Sequence, residues 1–489
     1  MSSPGPPSAE PIPVSVAAAP PAPKFGAGAR TTALIVASAL FMEQLDGTVL
    51  ATALPTMART FDVDPLRMNV ALTAYLLSLA VFIPASGKVA DRFGTRTVFR
   101  AAIGLFTIGS IMCAQAPSLP FLVGARVLQG CGGAMMVPVG RLVLLRSVSK
   151  PELVAAMAWL MIPATIGPIL GPPVGGFIVT YLNWRWIFYI NVPIGVLGIV
   201  LVTMFIEDVR EPGRINFDIG GMVLSGIALS CLMFGIEMAS RGVGSGILTA
   251  SLVAVGAVSA VLYYIHARKH PQPVLDFRLM RIATFRLSVL CGTLSRIAVG
   301  ALPFLLPMML QIGFGISAAQ SGMITFASAA GSLVVRLAAP RLLRRLGFRT
   351  VLIWFGAAAV SLVASVAAFR PWWPMPVIYG VLLLGGFFQS LQFIVYNTIA
   401  YADVPRAKMS SATSFYTTFQ QLSLSLGIAV SAAALAAAVD LNGHTEPSLG
   451  DFSIAFLTVS AIAMCAPALS TRLSPSAGEE LSGHHVAKK

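Results

Sequence analysis

The chain has 489 residues, of which 56% are hydrophobic and only 11% are charged, and its mean hydropathy is +0.82. Soluble domains carry about 25% charged residues, so this composition excludes an ordinary soluble protein and indicates a polytopic membrane protein. The net charge is +14. In a membrane protein an excess of Lys and Arg is expected in the cytoplasmic loops, so the charge does not indicate nucleic-acid binding.

The chain begins with a segment, 1–32, that is rich in Pro, Ala and Ser and is predicted to be a disordered cytoplasmic tail. It lacks the basic start and apolar core of a signal peptide. About fourteen apolar segments follow, and each is predicted to be a transmembrane helix. They lie near 33–58, 68–87, 98–115, 119–140, 153–180, 186–206, 219–238, 247–265, 287–311, 318–340, 350–369, 374–400, 411–439 and 452–471. A second cytoplasmic tail, 473–489, is predicted after them. The predicted fold class is therefore all-α.

Loop charges predict the orientation of the chain in the membrane. With the N-terminus inside, about 25 of the 33 Lys and Arg residues fall on the cytoplasmic side and about five on the outside, as the positive-inside rule requires. An even number of helices brings the C-terminus to the same side. We therefore expect a multi-pass protein of the cell (inner) membrane with both termini in the cytoplasm.

Two carboxylates, Glu43 and Asp46, lie inside the first apolar segment. An acid at the bilayer centre costs at least about 2.5 kcal/mol, and acids kept there are usually functional. Because the two residues are three positions apart, we expect them on nearly the same helix face. We interpret Asp46 as a proton-exchanging or cargo-binding carboxylate and Glu43 as its neighbour in the same site. Hydrogen bonding between helices is the alternative for each.

An internal repeat divides the chain into two halves. The strings KVADRFGTRT (88–97) and RLLRRLGFRT (341–350) share an Arg-apolar-Gly-any-Arg-Thr core, with Gly94 and Gly347 where a tight turn needs a positive φ. Repeats of this kind occur in transporters. They predict two six-helix bundles, 33–207 and 287–472, with a linker, 208–286, that holds inserted helices 7 and 8.

Two arginines are predicted inside the membrane, Arg126 in segment 4 and Arg296 in segment 9. A buried arginine needs a carboxylate or carbonyl partner. For Arg296 the candidates are Glu43, Asp46 or an anionic group of the cargo, with packing against carbonyls as the alternative. A purely structural tie between helices is the alternative for Arg126.

Segment 12 carries Gln389, Gln392 and Tyr396 on one helix face, because they are three and four residues apart. Lining of a substrate cavity and hydrogen bonding between helices are both open for this face. Segment 5 carries GPILGPPVGG (167–176), which predicts a kinked helix that packs closely against its neighbours.

Five strings in chain order resemble one family. They are LDGTVLATALP (45–55), GKVADRFGTR (87–96), RVLQGCGGA (126–134), GPILGPPVGG (167–176) and NWRWIFYINVPIG (183–195). Together they resemble the fourteen-helix drug:proton antiporters of the EmrB/QacA type in the major facilitator superfamily, and GGAMMVPVGRL is similar to the MdtD-like branch. The chain departs from the family pattern in having Ala51 for Asn, and in having Glu43 where many relatives are uncharged.

The resemblance implies roles for the matching residues. Asp46 and Arg126 would take part in proton coupling, to which Glu43 is added from the residue argument above. A gating loop between helices 2 and 3 would contain Gly87, Asp91, Arg92, Gly94 and Arg96. The antiporter motif of helix 5 would contain Gly167, Pro168, Gly171, Pro172, Gly175 and Gly176. In the second copy of the loop Arg344 replaces the acid, so the two gates are not expected to be equivalent.

The leading hypothesis is a proton-coupled multidrug efflux antiporter that exports amphipathic small molecules by alternating access. The alternative is a proton-coupled exporter of an anionic metabolite, such as an organic acid or a metal chelate, motivated by Arg126 and Arg296. A non-transporting sensor or structural membrane protein is a third hypothesis. The sequence has no GxxxxGK[ST] loop for ATP.

No Ser/His/Asp set or metal-ligand cluster is visible, so neither an enzyme, a cofactor nor a metal site is predicted. The predicted partners are cargo, protons and the lipid bilayer. A monomer is expected, and accessory export partners are left open.

Overall fold

The computed structural model describes residues 27–63, 65–149, 152–208, 218–241, 246–316 and 318–484. Most of the predicted N-terminal tail, 1–26, lies outside these residues. Within them the chain is helical, and no strand occurs. The α-helices in chain order are α1 Ala27–Phe61, α2 Pro65–Phe82, α3 Ser86–Phe93, α4 Thr95–Ala114, α5 Leu119–Ser147, α6 Leu153–Tyr181, α7 Trp186–Tyr189, α8 Asn191–Phe205, α9 Ile219–Arg241, α10 Gly246–Lys269, α11 Ala283–Met308, α12 Ala318–Thr350, α13 Gly356–Val366, α14 Met375–Ile399, α15 Met409–Asn442, α16 Leu449–Ser470 and α17 Glu479–Ser482.

Each of the predicted apolar segments coincides with helix. Among the described residues, 11 helices are long and apolar enough to cross a membrane, or 12 if α2 and α3, which meet at 60°, form one span. The other two predicted segments correspond to α6, whose 29 residues include no charge, and to the apolar stretch Gln320–Val335 of α12. The all-α membrane fold is confirmed, and the count of fourteen spans is consistent with these helices.

Helix packing follows the two halves of the repeat. One apolar core draws its residues from α1, α2, α4, α5, α6 and the α7 region, and another draws its residues from α11 to α16. A third core joins both halves and includes Val98, Phe99, Leu343 and Phe348, which flank the two repeated turns. We call the end of the molecule with these turns the turn end. The halves are therefore packed together most extensively there.

The glycines of both repeated turns have the predicted conformation. Gly94 has a φ of 88° and Gly347 a φ of 73°, a region that side chains with a Cβ rarely adopt. The second turn differs from expectation in one respect, because α12 continues through 341–350 with a kink at Gly347 instead of ending in a loop. A π-helical stretch, Val351–Phe355, then leads directly into α13.

The inserted helices α9 and α10 pack against each other as an antiparallel pair, with Gly235 next to Val253 and Gly256 next to Leu232. Of the two, α9 also contacts α2 from the first half and α15 from the second. Much of α10 is left uncovered by protein, with apolar side chains such as Val258 and Val261 more than half exposed. An apolar surface of this kind is suited to lipid.

The predicted C-terminal tail, 473–489, was expected to be disordered, and this expectation is wrong for its described part. Residues 473–484 include the short helix α17, and Leu473 and Leu481 are buried in the core that joins the halves. Positive φ values at Gly478 and Gly483 form the turns that bring Leu481 back onto the helices. Composition alone predicted disorder because this segment has few apolar residues, but two are enough to anchor it.

Candidate functional site

A cavity of about 1160 Å³ lies between the two halves. Its wall is mainly apolar, and it includes Phe326 on α12 and Phe393 on α14. The charged residues among its described lining are Glu43 on α1 and Arg141 on α5. Pockets for drug-sized molecules commonly measure about 300–1,000 Å³ and have mostly apolar walls with a few polar groups. The cavity is therefore large enough for an amphipathic small molecule.

The cavity is closed toward the turn end by contacts across the two halves. Arg141 donates to the Tyr401 hydroxyl at 3.4 Å, the Thr417 hydroxyl at 3.3 Å and Gln420 Oε1 at 3.3 Å. In the other direction the lining continues along α11 to Pro307 and along α12 from Gly322. The cavity thus extends toward the end opposite the turns.

Asp46 lies in a buried polar network and is not among the lining residues. Its carboxylate accepts hydrogen bonds from Arg126 Nη1 at 2.6 Å, Gln129 Nε2 at 2.9 Å and Asn191 Nδ2 at 3.0 Å. Ser110 accepts from Gln129 at 2.8 Å and from Asn191 at 3.3 Å. The network joins four helices of the first half: α1, α4, α5 and α8.

Arg126 is fully buried and forms an ion pair with Asp46. Its guanidinium carbon also lies 4.3 Å from the centroid of the Tyr75 ring, and it donates to Gln129 Oε1 at 2.6 Å. A buried cation is tolerated when it is paired and hydrogen-bonded in this way. Of the two arginines that were predicted inside the membrane, Arg126 is the one that contacts Asp46.

Glu43 and Asp46 point to different surroundings, although they are only three residues apart. On an α-helix three residues leave the side chains about 60° apart around the axis. Here this angle separates the cavity, which Glu43 lines, from the interior of the first half, where Asp46 is paired. Glu43 Oε2 is buried and has no hydrogen-bond partner among the described residues.

Arg296 contacts neither acid, and it is not among the cavity-lining residues. It donates to the Tyr416 hydroxyl at 2.6 Å, and its guanidinium carbon lies 5.3 Å from the Phe393 ring centroid. Because Phe393 belongs to the wall, Arg296 lies one side chain behind the cavity surface. This placement differs from the substrate-cavity position predicted for it.

The polar face of segment 12 is divided in the same way. Gln389 lines the cavity. Gln392 instead donates to the carbonyl of Val351 at 3.1 Å, and the Tyr396 hydroxyl lies 3.3 Å from Ser470 Oγ. Both are outside the described lining. Hydrogen bonding between helices, which sequence analysis left open for this face, describes these two contacts.

The predicted gating loop contacts α15 of the other half at the turn end. Gly87 N donates to Ser414 Oγ at 2.7 Å, and Ser86 Oγ lies 3.0 Å from the same oxygen. Asp91 accepts from Ser410 Oγ across the halves and from Arg146 Nη2 at 3.2 Å within its own half.

The other predicted members of the loop do not cross the interface. Arg92 is exposed, with its guanidinium carbon 5.4 Å from the Phe93 ring centroid, while Arg96 is half-buried. In the second copy of the loop Arg344 is also exposed.

The glycine-rich string of segment 5 lies within α6, which is one continuous helix against α1. A Cβ at Gly167 would lie 2.7 Å from Gln44 Cβ, and a Cβ at Gly171 would overlap Thr48 Oγ1. These positions let the two backbones approach closely, as predicted. Gly175 is buried, whereas a Cβ at Gly176 would meet nothing within 4 Å. The side chains of Pro168 and Pro172 lie outside the described part.

Sequence analysis missed several residues of the site, and Gln129, Asn191 and Arg141 are the main ones. All three stand inside quoted strings, Arg141 in GGAMMVPVGRL, and the signal of Gln129 and Asn191 was a single amide in an apolar segment. Arg141 follows directly after the predicted end of segment 4 at residue 140, where a basic residue is ordinary. Its position in the cavity wall becomes visible only in three dimensions.

Comparisons with known proteins agree with this architecture. Residues 36–428 match the family profile of the Major Facilitator Superfamily. The chain is 39% identical over 399 residues to a protein of Escherichia coli O6:H1 that has the provisional name multidrug resistance protein MdtD, covering 81% of this chain and 84% of that one. A protein of the same name from Salmonella heidelberg is 40% identical over 399 residues, with the same coverage.

Solved structures show the same fold. The human organic anion transporter MFSD10 (TETRAN) aligns with a TM-score of 0.65 at 15% identity, covering 90% of this chain and 99% of that chain. The proton:xylose symporter XylE, bound to 6-bromo-6-deoxy-D-glucose, aligns with a TM-score of 0.62 at 13% identity, covering 93% and 98%.

Proposed function

Because this chain belongs to the major facilitator superfamily of membrane transporters, we propose that it is a proton-coupled antiporter that exports amphipathic small molecules by alternating access. The observation that carries the proposal is the buried pair of Asp46 and Arg126 next to a large, mainly apolar cavity. The multidrug resistance named for the relatives supports the breadth of the cargo class.

The first element of the mechanism is orientation. The positive-inside rule puts the turn end and both termini in the cytoplasm of a bacterial inner membrane. In that orientation the contacts of Ser414 with Ser86 and Gly87 close the cytoplasmic side, and the cavity extends outward. The conformation is then the one that releases cargo and receives protons.

The second element is the ion pair. A proton on Asp46 cancels the charge that holds Arg126, while Gln129 and Asn191 can remain hydrogen-bonded to the neutral acid. The network joins α1, α4, α5 and α8, so loss of the ion pair changes how these helices are held together. Glu43 lines the cavity on the same helix, so it can release a proton when cargo binds and take one up when cargo leaves.

The proton gradient is sufficient to drive such export. One proton that enters across about 100 mV releases about 2.3 kcal/mol. This free energy maintains roughly a 50-fold gradient of a neutral cargo.

The alternative of an anionic metabolite was motivated by Arg126 and Arg296. Neither is among the described lining residues, so these two arginines no longer argue for it.

The test is proton release in proteoliposomes that contain a pH-sensitive dye. A panel of neutral, cationic and zwitterionic amphipathic compounds is added, and antiport predicts cargo-dependent proton movement that disappears with an uncoupler. If cargo moves at the same rate after the proton gradient is collapsed, the proposal is wrong.

A further inference from the structure

The cavity wall contains one acidic and one basic side chain, Glu43 and Arg141, that are both buried and incompletely hydrogen-bonded. Glu43 is 7% exposed, and its Oε2 has no hydrogen-bond partner among the described residues. Arg141 is 2% exposed, and its Nε has none. Leaving such polar atoms buried and unpaired is unfavourable. Arg126 Nη2 and Arg296 Nε are also without a partner among the described residues, but only Glu43 and Arg141 combine such an atom with a place in the cavity wall, where a ligand can pair with it.

The partners of Arg141 are all neutral. Its guanidinium donates to two hydroxyls and one amide oxygen at 3.3–3.4 Å, and its carbon lies 5.8 Å from the Tyr416 ring centroid. Charge-assisted hydrogen bonds are shorter, commonly about 2.7–2.9 Å. Within the described part of the chain no carboxylate forms an ion pair with it. A guanidinium presents a planar fork that fits a carboxylate through two hydrogen bonds.

Arg126 provides the contrast within the same helix. It is paired with Asp46 at 2.6 Å, hydrogen-bonded to Gln129 and stacked near Tyr75. Arg146, the third arginine of α5, is paired with Asp91 at 3.2 Å. The chain therefore gives Arg126 and Arg146 an acidic partner and leaves Arg141, which lines the cavity, without one in the described part. This difference indicates that Arg141 is placed for a ligand.

Glu43 and Arg141 do not neutralise each other, since no ion pair links them in the part of the chain described. They come from α1 and α5, and both are in the wall of the same cavity. Between them the wall is mainly apolar. A molecule that reaches both must carry a positive and a negative group on an apolar framework.

We propose that the cavity binds a zwitterionic amphipathic molecule, with its cationic group at Glu43 and its carboxylate at Arg141. The proposal rests on the export function above, because it names the class of the cargo. The apolar framework of the molecule packs against Phe326 and Phe393, which line the wall.

Binding at Arg141 also reaches the contacts that close the turn end. The three hydrogen-bonding partners of Arg141 belong to α15 and to the turn after α14, all in the second half. A carboxylate that binds the guanidinium competes with these neutral acceptors. The charge of the cargo is thereby coupled to the packing of the two halves.

The test uses three dyes with one xanthene ring system: rhodamine 110, a zwitterion; rhodamine 123, its cationic methyl ester; and fluorescein, an anion. Binding to the purified full chain in lipid nanodiscs is measured by fluorescence polarisation, with no proton gradient present. We expect rhodamine 110 to bind at least about tenfold more tightly than either of the others, because each of them lacks one charge-assisted pair.

Two variants assign the charges. Arg141→Gln is expected to remove the preference for rhodamine 110 over rhodamine 123. Glu43→Gln is expected to remove the preference for rhodamine 110 over fluorescein. Arg141→Lys, which retains the charge, keeps the first preference in part and controls for misfolding. Equal binding of the three dyes, binding of none, or unchanged preferences in both variants overturns the proposal.

These outcomes are independent of transport. Dye selectivity without proton coupling would overturn the antiport function and leave the charge assignment standing. Proton-coupled transport with no preference among the dyes would overturn the charge assignment and leave the antiport function standing.

Discussion

Arg126 and Asp46 form an ion pair of 2.6 Å between α5 and α1, with both side chains fully shielded from solvent. The pair is held by two amides, Gln129 and Asn191, which also hydrogen-bond Ser110. A carboxylate with this many donors is fixed in position and can change state only by gaining a proton or losing its partners.

Asp46→Asn is expected to abolish proton coupling, because the amide of asparagine cannot bind and release a proton as a carboxylate does, and it cannot form an ion pair with Arg126. Cargo-driven proton release in proteoliposomes should fall to the level of empty vesicles. The matched control is Asp440→Asn, at an exposed acid near the end of α15, which should retain wild-type proton release. Wild-type coupling in Asp46→Asn would contradict the role given to this acid.

The pair should also show strong non-additivity in stability. Removing one partner of a buried ion pair costs about 3–5 kcal/mol, because the other charge is left uncompensated. Asp46→Asn and Arg126→Gln should therefore each lower thermal stability in detergent, and the double variant should recover part of the loss. Strictly additive losses would mean that the two charges do not depend on each other.

A disulfide between the halves should stop transport reversibly. Ser86 Oγ and Ser414 Oγ are 3.0 Å apart, so cysteines at both positions are close enough to be oxidised to a crosslink. We expect export by Ser86→Cys/Ser414→Cys to cease on oxidation and return with dithiothreitol. Each single variant should continue to transport under oxidation. Unimpaired export in the crosslinked protein would show that these contacts need not separate.

Arg296→Gln is expected to lower export of neutral, cationic and anionic cargo by a similar factor. The side chain supports Tyr416 and Phe393 from behind the wall and lies outside the described lining. Export rates of a matched cargo series test this expectation. A selective loss for anionic cargo would restore Arg296 as a cargo-binding residue.

Two glycines of α6 provide a paired packing test. Gly171→Ala adds a methyl group that overlaps Thr48, whereas Gly176→Ala adds one where nothing lies within 4 Å. Overpacking typically costs about 1–3 kcal/mol, so only Gly171→Ala should lower the melting temperature of the purified protein. Equal effects would contradict the close approach of α1 and α6.

The fold could be predicted from the sequence because membrane helices depend on local composition. The apolar segments and the positive φ of Gly94 and Gly347 needed no knowledge of neighbouring helices. Helix ends were less predictable, since α12 passes through its turn and α17 anchors a polar tail.

The site was predictable in part. Spacing along one helix identified Glu43 and Asp46, but the 60° between them separates two environments that only the neighbouring helices define. Likewise Gln389, Gln392 and Tyr396 share a face, yet which neighbour each one meets depends on how α14 packs. Arg141 was not recognised, because it follows the predicted end of segment 4, where a basic residue is ordinary, whereas α5 continues to Ser147.

The inserted helix α9 contacts α2 in one half and α15 in the other. If the halves tilt relative to each other during transport, α9 cannot keep both contacts unchanged. It must slide along one of them or bend, and α10, whose apolar surface faces outward, moves with it. The lipid around the inserted pair is then displaced in every cycle, so the stiffness and thickness of the bilayer contribute to the free energy of the conformational change.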